Sequence, residues 1–199
     1  MVQPRYNMSN IVCGQRGTGK STWVKNILKT SPLKNQLIMV TQREIDERTF
    51  YPIPVVHPKD YRGGQALIRT TDIDIYKFFE NIEKNFTNGI IVIDEAARYT
   101  LICKNKSNGQ FEPIPPLKNI LMDQRKMNID MYFLYHSVKQ VPTSIVQWLN
   151  NFILFYQLAP FQYRGAVIPA MDELKAAKER VERQYKKGNH FYWECVKLD

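Results

Sequence analysis

Between Gly14 and Thr22 lies a glycine-rich segment, GQRGTGKST, that restricts the fold more than any other part of the chain. It fits the pattern G-x-x-x-x-G-K-[ST] and carries an additional glycine at position 17. The apolar residues 10–13 before it predict a short buried strand, and apolar residues recur at helical spacing over 23–28 after it. A strand, a glycine-rich turn and a helix in this order predict a phosphate-binding loop, the Walker A motif.

The residue types of this loop indicate how it would bind a nucleotide. Glycines let backbone N–H groups converge on phosphate oxygens without a Cβ in the way, and the helix N-terminus adds a partial positive charge. Lys20 is expected to reach the β- and γ-phosphates of ATP, and the Ser21 hydroxyl to ligate Mg²⁺. The predicted ATP-binding residues are Gly14, Gln15, Arg16, Gly17, Thr18, Gly19, Lys20, Ser21 and Thr22.

The composition is typical of a single globular domain, and we predict one such domain over residues 1–199. No apolar run reaches the roughly eighteen residues that a membrane span needs, so no membrane insertion is expected. Three scattered cysteines without a CxxC pair indicate a reduced, cytoplasmic protein with neither disulfides nor a zinc site. The net charge of +9 favours a nucleic-acid partner, although solvated lysines alone would give the same balance.

Strand and helix patterns alternate along the chain. Strands are predicted at 10–13, 36–41, 90–93, 131–135 and 152–156. Helices are predicted after a cap at Thr71 or Asp72, around 117–121, and from Pro142 through Trp148. Residues 42–65 and 104–116 are expected to be irregular, and 170–199 to form a C-terminal extension with a charged helix at 172–187 and a strand at 190–196. The alternation predicts an α/β fold with a mainly parallel central sheet flanked by helices.

A second nucleotide signature follows the apolar run at 90–93, which ends in Asp94 and Glu95. An apolar strand that ends in a carboxylate is the Walker B arrangement, in which Asp94 would hold the Mg²⁺ shell. Glu95 could polarise a water for attack on the γ-phosphate, or it could instead be the N-cap of a helical turn. Two adjacent acids favour a P-loop hydrolase of the additional-strand type over a P-loop kinase.

A third block, QRKMNID at 124–130 followed by MYFLYHS at 131–137, completes a resemblance. Over roughly residues 8–157 the chain resembles the FtsK/HerA superfamily of ring-forming, DNA-translocating ATPases. The resemblance implies that His136, where the family usually has Gln, senses the γ-phosphate. It also implies that Arg125 acts in trans on the nucleotide of the neighbouring subunit.

Each of these two roles has an alternative. Arg125 could be an ordinary basic residue at a helix end, and His136 a satisfied histidine at a strand end. Arg16, Arg43 and Arg98 are other candidates for compensating phosphate charge.

The compact chain resembles the viral genome-packaging branch of the superfamily most closely. This implies an Mg-ATP-dependent motor that acts on double- or single-stranded DNA as a homo-oligomeric ring, in the host cytoplasm or in the virion. A viral capsid or portal vertex is a further candidate partner. Zot-like phage proteins share the same motifs, so DNA extrusion or conjugative transfer is an alternative task.

Two basic loops are candidates for DNA contact, one containing Arg62 and the other Lys104 and Lys106. Functions of other classes stay open: a small-molecule P-loop kinase, or a nucleotide-dependent assembly protein that does not hydrolyse ATP.

Overall fold

The computed structural model describes residues 7–41, 49–69, 73–99, 101–107, 109–158 and 170–198. The strands in this part of the chain are β1 (Ser9–Cys13), β2 (Asn35–Val40), β3 (Gln65–Arg69), β4 (Gly89–Ile93), β5 (Ile102–Lys104), β6 (Phe111–Pro113), β7 (Ile129–Tyr135), β8 (Asn151–Phe155) and β9 (Trp193–Lys197). The α-helices are α1 (Lys20–Thr30), α2 (Ile75–Asn85), α3 (Pro115–Met127), α4 (Thr143–Val146) and α5 (Met171–Lys186).

Seven of these strands form one sheet in the order β3-β2-β4-β7-β1-β8-β9. All neighbouring pairs are parallel except β8 and β9, which are antiparallel. Strand β7 lies between β1 and β4, so one strand separates the glycine-rich loop from the acidic pair, as the additional-strand type requires. The predicted α/β fold with a mainly parallel sheet is confirmed.

Helices cover both faces of the sheet, which explains why its strands are continuous apolar runs. Along β4, Ile91 and Ile93 face the cluster that includes Phe79 of α2 and Leu117 of α3. Their neighbours Ile90 and Val92 face the opposite cluster, which includes Val24 and Leu28 of α1. Every residue of β4 is buried, so the strand holds the carboxylates at its end in a fixed position.

The segment 104–116, which we expected to be a loop, contains part of a small hairpin, so that expectation is wrong. Strands β5 and β6 pair antiparallel, with Cys103 opposite Glu112. The backbone N–H of Ile114 donates to the Leu101 carbonyl at 2.9 Å and closes the base of the hairpin. Strands of three residues carry too little alternation to be recognised in a polar, proline-containing segment.

Other element boundaries also differ from the prediction. The cap of α2 is Asp74, whose carboxylate accepts from the backbone N–H groups of Tyr76 and Lys77 at 2.9 and 3.2 Å. Thr71 and Asp72 lie outside the described residues. Strand β3 had no predicted counterpart, α4 ends before Trp148, and β9 begins at Trp193 instead of His190. No helix in the described part of the chain combines the length and apolar character that crossing a membrane requires.

Candidate active site

The glycine-rich loop connects β1 to α1 and is tied to both neighbouring strands. The backbone N–H of Gly14 donates to the Tyr135 carbonyl at 3.1 Å at the end of β7. Gly17 and Gly19 have φ angles of 78° and 96°, which favour glycine. A Cβ at Gly14 would lie 2.5 Å from the Cβ of Phe155, so the loop packs against β8 too closely for any side chain there. The loop therefore has the shape of a cradle for phosphate oxygens.

Lys20 begins α1 and its side chain turns back into the loop. The residue is 8 % exposed, and its Nζ donates to the carbonyls of Gly14 and, at 3.0 Å, of Gln15. Burial lowers the pKa of Lys20 to about 8, against the opposing effect of nearby acidic groups such as Asp94. Within the described part of the chain the hydrogen-bond partners of this buried ammonium are both carbonyls, and it is suited to exchange them for phosphate oxygens, whose charge compensates its own.

Asp94 and Glu95 follow β4 at the same edge of the sheet as the loop. A cleft of about 370 Å³ runs along this edge. Its lining residues are Arg16, Gly17, Thr18, Gly19, Lys20, Ser21, Thr22, Thr49, Asp94, Glu95, His136 and Phe191. Ser21 and Asp94 thus share one cleft, and their oxygens are the ligand type that Mg²⁺ prefers. The cleft is of the size that holds small ligands in other proteins.

Glu95 is held by several contacts at the edge of the cleft. Its backbone is in the left-handed region, with φ 49°, and its residue surface is 8 % exposed. The Oε1 atom accepts from Arg16 Nη2 and His136 Nε2, both at 3.2 Å, while Oε2 lies against Arg98 Nε. A 3₁₀ turn follows at 96–98 with Glu95 at its N-cap position, as the alternative predicted, but the Glu95 side chain makes no capping hydrogen bond.

These three partners decide the ionisation state of Glu95. Burial alone would raise its pKa, but the hydrogen bond from His136, the charge of Arg98 and the hydrogen bond from Arg16 together lower it below the usual range. Glu95 is therefore an ionised carboxylate at neutral pH. A side chain must be in this form to accept a proton from water.

His136 lies at the end of β7, as predicted, and its contact is with Glu95. Its Nδ1 is buried and has no hydrogen-bond partner among the described residues. The side chain of Gln140 accepts from the backbone N–H groups of His136 and Ser137 at 3.0 and 3.2 Å and fixes this corner. Gln140 was missed, although the spacing Ser137-x-x-Gln140 is the capping-box signature that could have identified it.

Solved structures with this architecture include viral proteins. The genome-packaging NTPase B204 from Sulfolobus turreted icosahedral virus 2, in complex with ATPγS, is 14 % identical and has a TM-score of 0.62; the match covers 97 % of this chain and 93 % of that one. The DNA-packaging ATPase B204 from Sulfolobus turreted icosahedral virus is 18 % identical, with a TM-score of 0.62 and 96 % and 92 % coverage. What these chains share with ours is the fold.

The resemblance to viral packaging ATPases is thus confirmed at the level of the fold. A third structure, the N-terminal domain of zonular occludens toxin from Neisseria meningitidis, is 13 % identical with a TM-score of 0.49, covering 98 % of this chain and 96 % of that one. No protein-family model and no curated protein matches the sequence.

Arg125 does not share the cleft with the other predicted residues. It lies exposed in the last turn of α3, just before β7 begins. The glycine-rich loop is at the opposite end of the seven-residue β7, about 20 Å away at roughly 3.3 Å per residue. Arg125 therefore cannot contact a nucleotide bound in its own subunit.

The structure separates the two loops predicted to contact DNA. Arg62 precedes β3 and thus lies at the amino edge of the sheet, where its Nη1 donates to the carbonyls of Lys59 and Tyr61 at 2.7 and 3.1 Å. Lys104 and Lys106 are exposed on the hairpin, which follows Glu95 at the cleft edge. Arg43 lies outside the described residues.

Proposed function

We propose that this protein is an ATP-hydrolysing DNA translocase that acts as a homo-oligomeric ring and packages a viral genome. The observation that carries the proposal is the arrangement of Lys20, Asp94 and Glu95 in one cleft at the carboxyl edge of the sheet. The fold shared with the two B204 proteins, one of which was solved with ATPγS, supports the same conclusion.

The cleft contains the groups that phosphoryl transfer to water requires. Backbone N–H groups of the loop and the Lys20 ammonium stabilise charge on the β- and γ-phosphates. Glu95, kept ionised by its basic neighbours, orients a water molecule and accepts its proton. Ser21 and Asp94 would hold Mg²⁺, which neutralises phosphate charge when bound.

The transfer of force to DNA is assigned to the hairpin of β5 and β6. It begins seven residues after Glu95, and its base is fixed by buried Leu101. Lys104 and Lys106 near its tip are exposed cations that suit the phosphate backbone, so the contact would be independent of sequence. We favour this hairpin over the loop of Arg62, whose guanidinium already binds two carbonyls of its own loop.

The proposal is tested by measuring ATP turnover with and without duplex and single-stranded DNA, alongside the native mass of the protein. We expect turnover that DNA stimulates, from an oligomer, and none from the matched Lys20→Ala variant. Turnover that requires a small-molecule acceptor would identify a kinase. ATP binding without turnover in the presence of DNA would identify an assembly protein.

Nucleotide affinity should depend on pH through Lys20. We expect the affinity for ATPγS to fall by about tenfold between pH 7 and pH 9, since the pKa of Lys20 is about 8 and only the ammonium form neutralises phosphate. The sign follows because binding favours the protonated lysine, so affinity is highest below this pKa. Calorimetric titration at pH 7, 8 and 9 measures the effect. Lys20→Ala should bind weakly without this dependence, and an equal slope in both proteins would refute the assignment.

Removing the hairpin lysines should weaken DNA binding in a salt-dependent way. For Lys104→Ala/Lys106→Ala we expect a lower affinity for duplex DNA of any sequence, and a slope of log affinity against log salt that is smaller by about two. The matched control is Lys29→Ala/Lys34→Ala, which removes two exposed lysines at the opposite edge of the sheet. Fluorescence anisotropy at several salt concentrations gives both slopes. An equal loss in the two variants would show only a general effect of net charge.

A further inference from the structure

Phe191 is an exposed aromatic residue that lies directly on the glycine-rich loop. Its surface is 68 % exposed, yet it lines the same cleft as Lys20 and Ser21. A Cβ added at Gly19 would come within 2.9 Å of Phe191 Cδ1. One edge of the ring therefore touches the loop while the rest of the ring faces solvent.

The turn that carries Phe191 is held in place on both sides. Before it, Tyr185 of α5 stacks on Tyr156 with ring centroids 3.7 Å apart, and His190 lies against Tyr185 at 4.4 Å. After it, Trp193 contacts Trp23 of α1 with a centroid distance of 5.6 Å. These aromatic contacts fix the backbone on both sides of Phe191. Its side chain is therefore exposed although the turn that carries it is well packed.

The order of the strands indicates which part of a nucleotide would reach this ring. Glu95 follows β4 and His136 follows β7, so the γ-phosphate end of the cleft lies on that side of β1. Phe191 precedes β9, which lies on the other side of β1, beyond β8. A triphosphate whose γ end points toward Glu95 must direct its nucleoside toward the β8–β9 side.

We propose that Phe191 is the stacking platform for the purine base of the bound nucleotide, an inference that rests on the proposed ATPase function. A base that stacks on an aromatic side chain gains binding energy without hydrogen bonds. Because a phenylalanine ring presents neither donor nor acceptor, it cannot distinguish adenine from guanine. The platform therefore selects purine over pyrimidine nucleotides by stacking area, and ATP and GTP should bind with similar affinity.

The test compares a nucleoside triphosphate analogue with an inorganic triphosphate that lacks the nucleoside. Affinities for ATPγS and for inorganic tripolyphosphate are measured by calorimetry in the parent protein, Phe191→Ala and Phe191→Trp. We expect Phe191→Ala to weaken ATPγS binding by about 5- to 150-fold and to leave tripolyphosphate binding within about twofold. Phe191→Trp should retain ATPγS binding. The control Tyr76→Ala removes another exposed aromatic ring, away from the cleft, and should change neither affinity.

Two results would overturn the platform: unchanged ATPγS binding in Phe191→Ala, or an equal loss for both ligands, which would make Phe191 a support of the loop. Thermal melts by circular dichroism of each variant establish that the fold is retained.

The result for Phe191 can be distinguished from the result for the proposed ATPase function. Loss of ATPγS affinity in Phe191→Ala, from a parent that does not hydrolyse ATP, would sustain the platform and refute the ATPase. If the parent protein hydrolyses ATP but Phe191→Ala binds ATPγS as tightly as the parent, the ATPase is supported and the platform is refuted.

Discussion

Replacing Arg125 with alanine is expected to lower ATP turnover by about three to five orders of magnitude while ATP binding is retained. The reason is its position: Arg125 lies at the amino edge of the sheet, at the opposite end of β7 from its own cleft, so a catalytic role requires the cleft of a neighbour. Mixing Arg125→Ala with Glu95→Gln subunits should restore part of the activity. In a random equimolar ring about a quarter of the interfaces pair an intact Arg125 with an intact Glu95.

The mixing experiment needs proof that subunits exchange, which native mass measurement of the two variants provides. Lys126→Ala is the matched control, since Lys126 is an exposed cation in the same helical turn. If Arg125 served only the helix dipole, both variants would lose about 0.3–1 kcal/mol of stability and neither would lose turnover. A mixture that stays inactive despite confirmed exchange would exclude action of Arg125 in trans, and Arg16, Arg43 or Arg98 would then be tested instead.

Glu95→Gln should bind ATP like the parent protein and turn it over about 10²- to 10⁴-fold more slowly. Gln has nearly the shape of Glu but lacks the carboxylate that accepts a proton from water. The fold should tolerate the change, because the partners Arg16 and Arg98 are 69 % and 43 % exposed and can be solvated instead. Turnover is followed by phosphate release and binding by calorimetry with ATPγS.

A substitution of the neighbouring Asp94 serves as the contrast to Glu95→Gln. Asp94→Ala should weaken ATP binding in a manner that depends on the Mg²⁺ concentration, whereas Glu95→Gln should not. If Glu95→Gln abolishes binding, Glu95 belongs to the metal shell or to the scaffold and is not the base.

The parts of the site that are contiguous in the chain could be predicted from sequence. The loop at 14–22 and the acidic pair at 94–95 each need only a strand, a turn and a few side chains at fixed spacing, so local patterns are sufficient. The same holds for β1, β4 and β7, whose apolar runs reflect burial on both faces of a parallel sheet.

The parts that depend on contacts between distant segments could not be predicted. Arg16 and His136 meet at Glu95 only because β1, β7 and β4 are neighbours, an order that no local pattern encodes. Phe191 reaches Gly19 because β9 returns antiparallel to β8, and its sequence surroundings resemble any aromatic strand. The hairpin was missed for a different reason, since its strands are too short for periodicity to be visible.

The position of β7 between β1 and β4 has a geometric consequence for the proposed reaction. Adjacent strands are about 4.8 Å apart, so the inserted strand sets Glu95 two strand widths, about 10 Å, from the strand that carries the glycine-rich loop. If β4 adjoined β1 directly, the two would be only about 4.8 Å apart, which would leave less room for a water molecule between Glu95 and a bound phosphate. Under the proposed function, one strand between them would leave a gap for a terminal phosphate and a water molecule in line behind it. In the proposed reaction, the strand order alone would thus set the distance at which the attacking water is held.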